Sequence, residues 1–190
     1  MQQIKNELMK TLIIQSSFPR SASTLLVNIL YGLILGLQDQ PVLWNDFRNY
    51  YGPPISGPVT VFKTHETNLG DLDFLLSKKY NTFFVCSERE QHFAEGLKTQ
   101  PNVAILDYSD LLVPLDEVCE RVHAVISDMI PHLSLSIPNC IDRVISMNQR
   151  YAEIADKPFS YVDPFYQLHG SHRSLRGRAQ PHTHPSHSSQ

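Results

Sequence analysis

Three absences restrict the class of protein that this 190-residue sequence encodes. Basic residues are not in excess, because 16 Lys and Arg stand against 19 Asp and Glu, for a formal charge of -3. A general polyanion-binding protein usually carries a basic excess, so nucleic acid is not an expected partner. The cysteines, Cys86, Cys119 and Cys140, show no CxxC pair and no zinc-finger spacing, and we expect them to be buried free thiols.

Long apolar runs are also missing. The longest apolar segment, residues 25–37, is shorter than a membrane span and is interrupted by Asn28, Tyr31 and two glycines. The first ten residues, MQQIKNELMK, mix charges and lack the apolar stretch of a signal peptide, and the sequence has no Asn-x-Ser/Thr sequon. These absences predict a cytoplasmic protein without a membrane partner.

What the sequence does contain is an alternation of short β-branched runs with segments of helical periodicity. Strands are predicted at residues 11–15, 59–62, 82–86 and 103–106, helices at residues 23–37, 69–79, 88–98, 114–129 and 138–154, and mostly loop at residues 38–58. This alternation is typical of an α/β domain, with helices on both faces of a central parallel sheet in a three-layer α/β/α arrangement.

The last part of the sequence has a different composition. We assign residues 1–165 to the α/β domain and residues 166–190 to a basic, histidine-rich tail that we expect to be partly disordered. His182, His184 and His187 resemble a metal-binding tract, but a solvated tail is the favoured interpretation.

The stretch SFPRSASTLL, residues 17–26, connects the first predicted strand to the first predicted helix. Such a turn directs free backbone N–H groups and the positive end of the helix dipole at one spot, where an anion binds well. Arg20 and the hydroxyls of Ser21, Ser23 and Thr24 add donors. The stretch has no glycine and does not match the GxxxxGK[ST] loop of nucleotide kinases. On the turn alone, an ordinary connection in which Ser23 caps the helix and Arg20 lies at the surface is an equal alternative.

The stretch VTVFKTHE, residues 59–66, favours the anion site. Side chains two residues apart in a strand point the same way, so Lys63 and His65 are expected on one side of the chain. In a parallel sheet this strand end lies beside the turn, where open α/β sheets bind their ligands. Taken singly, a surface lysine and a solvent-facing histidine explain these residues equally well. Together with Arg20, they predict a transfer site with two cations and a titratable base.

Three segments, in the same order, resemble the sulfotransferases that use 3′-phosphoadenosine-5′-phosphosulfate (PAPS). FPRSASTLL at residues 18–26 is similar to their 5′-phosphosulfate loop, and Lys63-Thr64-His65 repeats the K-T-H that commonly ends their next strand. AILDYSDLL at residues 104–112 looks like their later strand and turn. The resemblance extends over residues 11–130 and implies a P-loop NTPase-like domain.

The resemblance implies an enzyme that moves a sulfuryl group from PAPS to a hydroxyl or amine and releases adenosine 3′,5′-bisphosphate, with no metal required. Arg20 would bind phosphate oxygens, Lys63 would stabilise charge on the transferring group, and His65 would be the general base. The implied cofactor-binding residues are Pro19, Arg20, Ser21, Ala22, Ser23, Thr24 and Leu25 in the turn, with Ser87 and Arg89 toward the 3′-phosphate. Ala22 stands where the family usually has glycine, which raises the question whether this position has a positive φ.

The acceptor is predicted only as a small molecule or a glycan. The aromatic segment WNDFRNYY, residues 44–51, lies between the two site elements, although packing of these rings into the core is the favoured interpretation. The resemblance also allows a homodimer. Two other functions stay open: a non-catalytic relative that binds PAPS or its product, and a P-loop kinase in which Asp107, after an apolar strand, would bind Mg²⁺.

Overall fold

The computed structural model describes residues 10–17, 21–35, 37, 42–43, 57–65, 68–70, 80–89, 93, 95–158 and 160–169. The strands are β1 (Thr11–Ser17), β2 (Val42–Leu43), β3 (Val59–Thr64), β4 (Asn81–Glu88), β5 (Val103–Asp107), β6 (Val162–Asp163) and β7 (Leu168–His169). The α-helices are α1 (Ser23–Leu33), α2 (Leu115–Met129) and α3 (Ile137–Glu153), and 3₁₀ turns cover Glu95–Leu97 and Tyr108–Leu111. Within these ranges, no helix combines the length and the hydrophobicity needed to cross a bilayer.

Strands β1 to β5 form one parallel sheet in the order β2-β3-β1-β4-β5. The central strand is β1, which pairs with β3 on one side and with β4 on the other. In this register Gln15 lies between Lys63 and Val85, and Ser17 lies opposite Ser87. The carboxyl ends of the strands therefore meet at one edge, and the predicted α/β fold with a parallel sheet is confirmed.

Both faces of the central strands are buried, and successive side chains alternate between them. The face toward α1, α2 and α3 includes Ile13, Val61 and Val85. The opposite face includes Leu12, Ile14, Phe62 and Phe84, which pack with Leu69 and Phe93. Two-sided burial explains why apolar residues follow one another in Leu12-Ile13-Ile14 of β1 and in Val61-Phe62 of β3, a pattern typical of parallel sheets.

Helices α1 and α3 approach each other closely at Gly32. A Cβ atom at this position would lie 2.5 Å from the Cα of Cys140, so a side chain has no space there. Glycine is therefore required by the contact between the two helices. Cys86, Cys119 and Cys140 are all buried free thiols, as predicted.

The antiparallel hairpin of β6 and β7 is attached to α1 and α3 by hydrogen bonds and an ion pair. Arg150 of α3 donates to the Asp163 carboxylate at 2.7 Å, and the same carboxylate accepts from the backbone N–H of Tyr166 at 3.0 Å. Asn28 of α1 donates to the carbonyl oxygen of Tyr166 at 2.8 Å. Leu168 is 3% exposed and belongs to the helix-side core. The hairpin thus lies against the first turns of α1.

Most predicted elements are confirmed, with three corrections. The helix predicted at 23–37 ends at Leu33, because Ile34 is extended and forms an antiparallel bridge with Leu135. The predicted helix at 88–98 is wrong where the structure describes it, because Glu88 is the last residue of β4 and pairs with Asp107. Its buried carboxylate accepts from the backbone N–H of Phe93 and pairs with Lys98 at 3.1 Å, and only Glu95–Leu97 forms a 3₁₀ turn. The short strand β2 was predicted as loop, since two residues carry no periodicity.

Several predictions fall on residues outside the described ranges. These are the helix beyond Leu69 and Gly70, the aromatic segment 44–51, Pro19 and Arg20 of the turn, and the histidines of the C-terminal tail. Leu69 and Gly70 themselves are helical.

Candidate functional site

The turn between β1 and α1 has the backbone conformation that usually selects glycine. Ala22 has φ 59° and ψ 25°, in the left-handed region, and occupies the N-cap position of α1. No side chain accepts a hydrogen bond at this cap, and the first turn of α1 contains no acidic residue. The N–H groups that open a helix lack intrahelical acceptors, so this helix terminus is suited to an anion. The alternative in which Ser23 caps the helix does not hold, because Ser23 is already helical.

A chain of serine hydroxyls holds the turn from the sheet side. The hydroxyl of Ser87 donates to the carbonyl oxygen of Ser21, the residue before Ala22. The hydroxyl of Ser17 lies 2.6 Å from that of Ser87, and Ser17 also accepts from the backbone N–H of Ser87 at 3.1 Å. Because these serines are 0 to 1% exposed, their hydrogen bonds form away from water. They offset the strain of a non-glycine residue at positive φ.

Replacement of Ala22 by glycine is expected to stabilise the protein by about 0.5–1 kcal/mol. Relief of left-handed strain contributes about 1–2 kcal/mol, and the added freedom of glycine in the unfolded chain costs about 0.5–1 kcal/mol. Urea unfolding measures the difference. The matched control is Ala124→Gly in the interior of α2, which should cost about 1 kcal/mol. Loss of stability in both variants would contradict the strain argument.

Lys63 lies one row below the edge of the sheet, on the face that α1 covers. Lys63 is 3% exposed, and its ammonium donates to the hydroxyl of Thr24 at 2.9 Å. Burial lowers the pKa of Lys63 to about 8, because desolvation disfavours the charged form. The group is still mostly protonated at pH 7, and it therefore brings a poorly hydrated positive charge to the first turn of α1.

His65 follows β3 at the exposed edge of the sheet. Its Nδ1 lies 2.7 Å from the carbonyl oxygen of Ser17, an acceptor, so Nδ1 carries the proton and donates. In the neutral ring Nε2 is then the free base. Burial lowers the pKa of His65; the hydrogen bond to Ser17 opposes this change, and positive charge on Lys63 and His169 adds to it. The imidazole is therefore neutral at pH 7 and able to accept a proton at Nε2.

The structure brings together most of the predicted site residues that it describes. Ser21, Ala22, Ser23, Thr24 and Leu25 form the turn and the start of α1, and Lys63 and His65 lie beside them. Leu25 is 8% exposed and contributes its side chain to the core, so only its backbone is available to a ligand.

The two residues predicted near the 3′-phosphate have different surroundings. Ser87 is buried, and its hydroxyl is bonded to Ser17 and to the carbonyl of Ser21. Arg89 is exposed just beyond β4, with its guanidinium 5.5 Å from the ring centre of Tyr108. Its described contact is therefore with an aromatic ring. Both phosphate-binding roles stay predictions.

Sequence reasoning missed the residues that support the site from behind. Gln15 and Ser17 lie on the helix face of β1, at two-residue spacing from Ile13. Asn28 bonds both the carbonyl of Thr24 and the hairpin that carries His169. Side chains alternate along a strand, so Gln15 and Ser17 lie on the same face of β1 as the site. This spacing is visible in the sequence and could have predicted their position.

Comparison with protein-family models gave no match, and comparison with curated proteins gave none either. Across the residues that the structure describes, no three His, Cys, Asp or Glu side chains are grouped as a metal centre would require. Asp107, the aspartate of the kinase alternative, is exposed at the end of β5 and is separated from β1 by β4.

Proposed function

We propose that this protein transfers a sulfuryl group from PAPS to a hydroxyl or amine of a small-molecule or glycan acceptor, on a P-loop-like α/β domain. The observation that carries the proposal is the hydrogen bond of the buried Lys63 ammonium to Thr24, in the first turn of α1, with the free Nε2 of His65 beside it. A cation, an uncapped helix N-terminus and a neutral base thus meet at one sheet edge.

Binding of the cofactor follows from the electrostatics of the turn. Backbone N–H groups from Ala22 to Leu25 and the hydroxyls of Ser23 and Thr24 are suited to the oxygens of a 5′-phosphosulfate. By resemblance, Pro19 and Arg20 complete this loop, and Arg89 is placed for the 3′-phosphate. The left-handed backbone at Ala22 is what a loop that wraps an anion requires, and it is the conformation that glycine supplies in the resembling family.

The transfer itself is an in-line displacement. The acceptor oxygen or nitrogen forms a bond to sulfur while the bond from sulfur to the bridging oxygen of PAPS breaks. The electron pair of that bond stays on the departing 5′-phosphate of adenosine 3′,5′-bisphosphate. Such loose transition states depend on positioning and on stabilisation of charge, which the Lys63 ammonium supplies at the leaving oxygen.

His65 accepts the proton that the acceptor loses. Its Nδ1–H is held by the Ser17 carbonyl, so the ring orientation and the tautomer are fixed before substrate binds. Nε2 then takes the proton of the attacking hydroxyl or amine. No redox change occurs, and no metal is needed for the charge balance.

Calorimetric titration with adenosine 3′,5′-bisphosphate, with and without Mg²⁺, tests the proposal. We expect binding that is independent of Mg²⁺ and that is weakened at least about tenfold by Arg20→Ala, since charge-assisted hydrogen bonds are lost. Titration with ATP and Mg²⁺ is the control for the kinase alternative. Absence of bisphosphate binding, or binding of ATP with Mg²⁺ alone, would refute the proposal. Binding without transfer to any acceptor would favour the non-catalytic relative.

A further inference from the structure

Gln15 is a buried polar side chain in the middle strand of the sheet, directly behind the candidate site. It is 0% exposed, and its amide nitrogen donates to the hydroxyl oxygen of Ser17. Its amide oxygen Oε1 is buried and has no hydrogen-bond partner. Because a buried acceptor without a partner is costly, its presence points to a neighbouring donor that reaches it by rotation of its own side chain.

The serine chain fixes which end of the amide faces Ser17. The carbonyl of Ser21 only accepts, so the hydroxyl proton of Ser87 is used there. Ser87 then accepts the hydroxyl proton of Ser17, which leaves Ser17 without a proton for Gln15. Gln15 must therefore donate to Ser17 through its nitrogen, and its oxygen faces away from Ser17.

Among the described neighbours of Gln15 on this face, one donor has N–H groups beyond those used in its hydrogen bond. In the register of the sheet, Gln15 lies between Val85, which is apolar, and Lys63. Asn28 of α1 uses its amide nitrogen on the carbonyls of Thr24 and Tyr166. The Lys63 ammonium has three N–H groups and gives one to Thr24.

We propose that Gln15 is a positioning residue for Lys63, its amide oxygen being the second acceptor of the ammonium beside Thr24. With two N–H groups held by these acceptors, the third is directed at the anion in the turn. The catalytic consequence rests on the proposed sulfuryl transfer, whereas the hydrogen bond itself does not. Rotation of the long lysine side chain is enough to form it, because Gln15 and Lys63 are paired on adjacent strands.

Few other charges act on this ammonium from the described elements. His65 on the same strand and His169 of the hairpin are titratable groups coupled to the site, and Arg143 of α3 donates to the amide oxygen of Asn28 at 3.1 Å. Strand β1 contains no ionisable side chain, and in α1 only Tyr31 is one, its hydroxyl donating to the carbonyl of Val61. A substitution of Gln15 should therefore be detected as a change in the pKa of Lys63.

The test is the titration of Lys63 in ligand-free protein labelled with [ε-¹³C]lysine, the signal being assigned by its loss in Lys63→Met. We expect Gln15→Met to lower the measured pKa of Lys63 by about 1 relative to the wild type, because the charged form loses an acceptor. Gln15→Glu should raise the pKa of Lys63, because a carboxylate favours the ammonium. Gln15→Met is the discriminating variant, because a carboxylate would favour the ammonium whether or not the native amide oxygen binds it. Gln100→Met, at an exposed glutamine, is the matched control and should leave the titration unchanged.

The wild-type protein provides a readout that does not depend on the folding of variants. The side-chain amide ¹⁵N signal of Gln15 should titrate together with the Lys63 signal. Separate titration of the two signals, or an unchanged Lys63 titration in Gln15→Met, would overturn the proposal. Neither measurement uses PAPS, so a failure of nucleotide binding would refute the proposed reaction and leave this hydrogen bond tested independently.

Discussion

Lys63→Met is expected to make the protein more stable and to slow the proposed sulfuryl transfer. In that reaction the ammonium would stabilise the leaving oxygen, so its loss should lower kcat by about 10²- to 10³-fold. The free energy of unfolding at pH 7 should nevertheless rise by about 1–3 kcal/mol, because the variant no longer buries a charge. Urea unfolding and initial rates of transfer measure the two effects on the same preparation.

The pH dependence of stability has the same origin. Burial lowers the pKa of Lys63 to about 8 in the folded protein, against about 10.4 in an unfolded chain. Between these values the unfolded chain binds a proton that the folded chain does not, so stability due to this group rises with pH. Below pH 8 both states are protonated, and the full cost of burying the ammonium is present. The advantage of Lys63→Met should therefore shrink as pH rises from about 8 to about 10.

Lys98→Met is the matched control for this prediction. Lys98 is about one-third exposed and pairs with the buried carboxylate of Glu88. Its replacement removes a cation from a buried carboxylate, so the variant should be less stable, a change opposite in sign to that of Lys63→Met. If Lys63→Met were destabilising at pH 7, burial of the ammonium would not be the dominant effect at this position. If it transferred sulfuryl groups at the wild-type rate, Lys63 would have no part in the reaction.

The convergence of Lys63 and His65 beside the turn was predictable because it depends on two periodicities alone. Alternation along β3 sets both side chains on one face, and parallel pairing brings the ends of β1 and β3 to one edge. The helix after the turn followed from its apolar stripe. The resemblance only raised the question whether Ala22 has a positive φ. No sequence pattern specifies this backbone angle, and the structure shows that it is positive.

Other parts of the site depend on contacts that no local pattern specifies. The bond between Ser17 and Ser87 joins residues 70 positions apart, and sequence reasoning considered Ser87 only as a phosphate ligand. The hairpin docks through Arg150 and Asp163, both of which look like ordinary surface residues in the sequence. Glutamate has a high helix propensity. Glu88 is nevertheless the last residue of β4, because it pairs with β5 and its carboxylate is buried.

His65→Asn is expected to lower kcat by about 10²- to 10⁴-fold while leaving the affinity for adenosine 3′,5′-bisphosphate within about twofold of the wild type. Asparagine retains an N–H near the position of Nδ1, so the bond to the Ser17 carbonyl is kept and only the base is removed. His65→Ala loses both and should also loosen the edge of β3. Comparison of the two variants separates proton transfer from ring anchoring.

The pH profile of kcat/KM provides the second readout for His65. Its pKa is lowered by burial, so the neutral base is lost only as pH falls below the ordinary histidine range. The ammonium of Lys63 is lost as pH rises through about 8. A bell-shaped profile is therefore expected, and His65→Asn should remove its acid limb and keep its alkaline limb. His123→Asn is the matched control. His123 lies on α2, with its Nδ1 3.5 Å from the Oγ of Ser127, and the variant should show the same bell-shaped pH profile as the wild type. An acid limb that survives in His65→Asn would assign the proton to another group.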